Sequence, residues 1–96
     1  MPRLVWTPYS SRDLSRLYDF LEPKDRNAAI RAIKTIRQRL SLLARHPEMG
    51  RPVDEAPVGR RELVIDFGQS SYVALYQLEG EHILVLAIRH GREAGY

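Results

Sequence analysis

The chain contains no cysteine. Disulfide scaffolds, thiolate metal sites and cysteine nucleophiles are therefore excluded. Lysine is nearly as scarce: Lys24 and Lys34 are the only two among 15 cationic side chains. Positive charge is thus almost entirely guanidinium, which suits bidentate contact with phosphate or carboxylate. Long apolar runs are missing as well. The longest, residues 83–88, is far too short to span a bilayer. The opening Met1-Pro2-Arg3-Leu4-Val5-Trp6 lacks the apolar core of a signal peptide. The expectation is a cytoplasmic protein with no membrane partner. There is no glycine-rich phosphate loop, nucleophile elbow or paired-carboxylate constellation. His46, His82 and His90 show no ligand spacing, so neither a metal nor a cofactor is expected.

What is present fits one small folded unit. With 96 residues, the chain has room for one domain, residues 1–96, and for no second core. The hydrophobic fraction of 44% and charged fraction of 28% are ordinary for a globular domain. A net charge of +3 and a pI near 9.6 favour an anionic partner, either nucleic acid or an acidic protein.

Residues 3–7 read as a short strand, with Leu4 and Trp6 on one face, ended by Thr7-Pro8. Ser10 followed by Asp13 resembles a capping box. Leu14, Leu17, Tyr18 and Leu21 then recur at helical spacing until Pro23 stops the helix. A second helix starts near Asp25. Its stripe is Ala29, Ile33, Ile36, Leu40 and Leu43, and it ends at His46-Pro47. Only a few residues join the two, which predicts an antiparallel helical hairpin. Residues 47–59 form a turn-rich connector, either a functional loop through Arg51 or a plain linker. Strands follow at 61–67, 72–78 and 83–90, with short loops that enforce an antiparallel meander. The fold class is α+β in the order β-α-α-β-β-β, with the first strand added to the meander.

The sheet does not alternate as a sheet with one wet face should. Val73 and Leu75 oppose Ala74, Tyr76 and Leu78. In the last strand, Ile83, Val85 and Ala87 oppose Leu84, Leu86 and Ile88. Two helices cover one face of such a sheet. The other is either covered by a partner or wrapped by the chain through strong twist and the 47–59 connector.

The order and spacing of several segments resemble the RelE/ParE superfamily of bacterial type II toxins over nearly the whole chain. These are Leu4-Val5-Trp6-Thr7, the helical hairpin, Met49-Gly50-Arg51-Pro52, Gly59 to Leu63, Tyr72 to Tyr76, and Leu86 to Arg92. The resemblance implies one of two targets. RelE-like members cut messenger RNA on the ribosome, and ParE-like members poison DNA gyrase. Both are neutralised by a cognate antitoxin whose C-terminal segment wraps the toxin. For the nuclease, the candidate residues are Arg61, Arg89, His90, Arg92 and Tyr96. Histidine is the natural acid or base near pH 7, arginines stabilise a phosphorane, and a tyrosine stacks on a base. RelE-like nucleases usually carry a basic residue after the tyrosine matching Tyr72, where this chain has Val73. The ending His90-Gly91-Arg92 is closer to ParE-like chains. The expectation is therefore a non-catalytic, gyrase-directed toxin that touches its target through Arg51, Arg60, Arg61, Arg89, His90 and Arg92. Arg61 is expected beside Arg89 and Arg92 at one end of the sheet. Antitoxin contact is expected at Tyr72, Ala74, Tyr76, Leu84 and Leu86.

Overall fold

A computed structural model describes residues 1–91. Strand β1 (Arg3–Trp6) leads into helix α1 (Pro8–Leu21) and helix α2 (Arg26–Ser41), which is prolonged by a 3-10 turn at Leu42–Ala44. Strands β2 (Arg51–Pro52), β3 (Arg60–Phe67), β4 (Ser70–Glu79) and β5 (His82–His90) complete one sheet in the order β1-β5-β4-β3-β2. The first strand joins the meander as expected, parallel to β5. The short β2 extends the opposite edge, so the connector is partly built into the sheet.

The start of α1 differs from the capping-box expectation. Thr7, not Ser10, is the N-cap: its side chain accepts from the Ser10 amide, and Pro8 occupies the first turn. Proline suits that place because its missing N–H would have no intrahelical partner and its φ is already helical. Thr7 Oγ1 also donates to the Val85 carbonyl at 2.6 Å, tying the helix start to β5. Ser10 is fully buried and donates through its hydroxyl to the Thr7 carbonyl. The second helix starts next to Asp25 as expected, and Asp25 is its N-cap, accepting from the Ala28 amide at 3.0 Å. The α2 stripe holds, with Ala32 joining Ala29, Ile36 and Leu40 among its buried residues.

Both hairpins turn through two residues, since Phe67 pairs with Ser70 and Glu79 with His82. Gly68 and Gly80 each take φ near +58° in the first loop position, which glycine adopts without steric cost.

The core lies between the helices and one sheet face. Leu14, Leu17, Ile36, Leu40 and Leu43 from the helical side meet Leu63, Ile65, Tyr72, Ala74, Tyr76, Ile83, Val85 and Ile88. Each large aliphatic side chain buried there contributes roughly 1.5–3 kcal/mol. Ile88 belongs to this face although strict alternation puts it on the other. Leu75 pairs with Ala87 and Tyr76 with Val85, so Leu86 is an extra residue, a β-bulge. The insertion shifts the parity of everything after it. Ala87 moves to the uncovered face and Ile88 into the core.

Candidate functional site

The uncovered face is defined by register. Val5 lies beside Leu84, Leu84 opposes Gln77, Leu75 opposes Ala87 and Glu62, and Val73 opposes Val64 and Arg89. Val64 is 44% exposed, and Leu75, Leu84, Leu86 and Ala87 are half-buried. Among the described residues, neither helix lies over this apolar strip. Of the two possibilities for covering the second face, the described chain covers it only in part: Val73, Glu62 and Gln77 are 8–9% exposed, while the aliphatic positions around them keep open surface.

Polar side chains frame the strip. Arg51 Nε meets Glu62 Oε1 at 2.6 Å, with the arginine largely exposed and the carboxylate largely buried. Arg60 Nε donates to Gln77 Oε1 at 2.8 Å, and Gln77 Nε2 donates to the Val58 carbonyl at 2.6 Å. These bonds bind the connector to the sheet. Val53 N to Arg60 O and Leu78 N to Gly59 O add backbone ties. The connector is therefore fixed along much of its length, with Arg51 carried on an edge strand.

The expected grouping of Arg61 with Arg89 does not occur. Arg61 pairs with Tyr76 and Arg89 with Val73, positions of opposite parity on β4. His90 pairs with Tyr72, four residues from Tyr76, or about 13 Å along a strand. The cause is the antiparallel meander, which sets the start of β3 at the opposite end of the sheet from the end of β5. Arg61 instead donates to the carbonyls of Gly50 at 2.6 Å and Glu48 at 3.2 Å. Its neighbour Tyr76 donates through its hydroxyl to the Pro47 carbonyl and accepts from the Gly50 amide. Together they strap the turn that leaves the helical layer.

Tyr72, Ala74 and Tyr76 face the helices and are 2%, 0% and 0% exposed. As buried core residues they have no surface to offer a partner. The apolar side chains of β4 on the open side are Val73, itself only 8% exposed, and the half-buried Leu75. The paired apolar faces of the sequence carried this possibility, but which face the helices choose is not written in the alternation itself. Leu84 and Leu86 do lie on the open side. Burial pushes the Tyr72 hydroxyl above its usual pKa. Burial does the same for Tyr76, opposed by the Gly50 hydrogen bond and the charge of Arg61 and reinforced by Glu48.

At the far end of the sheet, His90 packs edge-on against the Tyr72 ring, with centroids 5.5 Å apart. It stands on the rim between two clefts. One, of about 570 Å³, is lined in part by Arg51, Val64, Ser71 and Val73. The other, of about 480 Å³, lies against α1 at Leu17 and Phe20 and against Lys24 just beyond it. Arg89 reaches Asp13 on α1 at 3.6 Å. Sequence reasoning missed Asp13, having read it only as a cap. Arg92 and Tyr96 lie outside the described residues. No group of three or more potential metal-ligating side chains occurs among the described residues, and no described helix is long and apolar enough to cross a membrane.

A family profile described as the ParE toxin of the type II toxin–antitoxin system parDE matches residues 4–95. The chain belongs to the ParE toxin family. It is thus a type II toxin of the RelE/ParE kind, in agreement with the resemblance drawn from its segments. Toxin RelE3 of Caulobacter vibrioides is 35% identical over 86 residues, 90% of each chain. Toxin RelE1 of the same organism is 38% identical over 84 residues, covering 88% of this chain and 87% of that one. Among solved structures, the chromosomal ParDE toxin–antitoxin system from P. aeruginosa superposes with a TM-score of 0.78 at 28% identity, over 94% of this chain and 96% of the other. The RelBE2 toxin–antitoxin complex from Mycobacterium tuberculosis shares the fold, with a TM-score of 0.65 at 22% identity over 94% and 99%.

Proposed function

We propose that this ParE-family chain is a toxin that acts by binding DNA gyrase, without chemistry of its own, and is silenced by a cognate antitoxin laid across the open sheet face. One observation carries the non-catalytic part: of the three described candidate groups for RNA cleavage, Arg61 stands at one end of the sheet and Arg89 and His90 at the other. A metal-independent ribonuclease needs a proton-transfer group and cations converging on one phosphate. Here Arg61 is spent on the 47–50 turn, while His90 lies beyond reach of it. Beside His90, the open-face positions on β3 and β4 are the aliphatic Val64 and Val73. Among the described residues, Arg51 and Arg89 beside them each face a carboxylate.

The antitoxin part is supported by the apolar strip of Val64, Val73, Leu75, Leu84 and Leu86 with arginines at its margins. Such a surface fits an amphipathic segment carrying acidic residues. The solved structures it resembles are of toxin–antitoxin systems. The test is a direct comparison of two assays on purified chain. Inhibition of gyrase supercoiling with an intact messenger in a translation extract supports the proposal. Ribosome-dependent cleavage with normal supercoiling replaces it by the RelE-like alternative, and growth unaffected by induction indicates a family member without toxicity.

A further inference from the structure

Asp13 is tied to β5 across 75 residues of sequence. Strand β1 accompanies β5 only from His82 to Val85, because Thr7-Pro8 turns the chain away into α1. Among the described residues, the outer edge of β5 has no strand neighbour past Val85. Asp13 fills part of that gap: its Oδ2 accepts a hydrogen bond from the Ile88 amide at 2.9 Å. The other oxygen, Oδ1, faces Arg89 Nη1 at 3.6 Å and Arg16 Nη2 at 3.9 Å. The carboxylate is only 14% exposed. Hydrogen bonds from a backbone amide to a charged acceptor are among the stronger ones, and a part-buried amide that loses its acceptor is costly.

The place where this contact falls matters. Leu86 is the bulge residue, so every residue after it carries the shifted parity: Ala87 outward, Ile88 into the core, Arg89 outward. A bulge interrupts the ladder, and the strand beyond it needs another anchor. We propose that Asp13 is a positioning residue for the toxic surface: its carboxylate holds the end of β5 after the bulge and sets the direction of Arg89 beside His90. The inference rests on the proposed toxicity together with the expectation, drawn from the sequence, that Arg89 touches the target, whichever target that is. Asp13 itself does not touch the target.

The experiment uses the full chain, with growth arrest on titrated induction as its first readout, since arrest does not presuppose gyrase. Asp13→Asn keeps an oxygen for the Ile88 amide and removes the charge facing Arg89. Asp13→Ala removes both. For Asp13→Asn, we expect the thermal midpoint and Ile88 amide protection to stay near wild type while the dose for arrest rises about tenfold. In an Arg89→Ala background, the same substitution should add nothing. Asp13→Ala should in addition expose the Ile88 amide to exchange. Full toxicity of Asp13→Asn overturns the proposal. So does an effect that adds undiminished to Arg89→Ala, or one that merely follows lost thermal stability. Supercoiling assays on the same variants test the gyrase assignment separately: loss of arrest without any gyrase effect in the wild type sinks that assignment and leaves Asp13 in place.

Discussion

The Gly50 amide donates to the hydroxyl of Tyr76 at 2.9 Å, and that hydroxyl in turn donates to the Pro47 carbonyl at 2.8 Å. A phenol in the core thus closes the turn between the helical layer and the sheet. Tyr76→Phe removes both bonds and leaves buried backbone groups without partners. We expect a loss of about 1–3 kcal/mol, read as a lowered denaturation midpoint with unchanged cooperativity.

Gly50 is fixed by space as well as by that bond. A Cβ there would sit 2.6 Å from the Glu62 carbonyl and 2.7 Å from the Tyr76 hydroxyl. Gly50→Ala should therefore cost at least as much as Tyr76→Phe. Combined with Tyr76→Phe it should cost less than the sum, because the phenol is one of the two clashing groups. Thermal melts of the three variants check this.

Alkaline stability follows from the same side chain. Tyr72 and Tyr76 have pKa values raised above the usual 10.0 by burial. A raised folded-state pKa means the neutral phenol is favoured in the fold. The stabilisation is complete below pH 10 and is lost as pH climbs through the folded-state values. Stability should fall steeply above about pH 10, and Tyr72→Phe should flatten that limb. An unchanged slope in urea midpoints from pH 9 to 11 contradicts it.

The open face separates association from folding. Leu84→Lys places a charge among Val5, Gln77 and Leu86 on a half-buried surface. It should shift the melting temperature little and abolish co-purification with the antitoxin. Leu63→Lys, on the helix-covered face, should instead prevent folding, since an unpaired charge cannot be accommodated in the core.

Arg61 and Arg89 should part company. Arg61→Ala releases the Glu48 and Gly50 carbonyls and should lower stability by about 1–2 kcal/mol with target inhibition per folded molecule preserved. Arg89→Ala should do the reverse. Supercoiling inhibition measured against folded fraction distinguishes them.

The elements themselves were legible because each has a local cause. The 3.6-residue stripe of Ala29, Ile36 and Leu40, the helix start near Asp25 and the glycine-containing loops at Gly68 and Gly80 are all decided within a few residues. What escaped depends on contacts distant in sequence. Thr7 displaced Ser10 as the cap partly through its bond to Val85, 78 residues away. The face chosen by the helices, and hence the burial of Tyr72, Ala74 and Tyr76, emerges only when α1 and α2 settle on the sheet. Arg61 looked like a site residue because adjacent arginines suggest a ligand. Its carbonyl partners at Glu48 and Gly50 carry no sequence signature.

Leu86 has a consequence for how this fold can vary. It acts as a one-residue phase setting for the last strand. Deleting it would turn Ile88 toward water and aim Arg89 at the helices, while every hairpin stayed the same length. A chain of this design can exchange side chains along β5 freely, but it cannot shorten that strand by one without exchanging the inside for the outside.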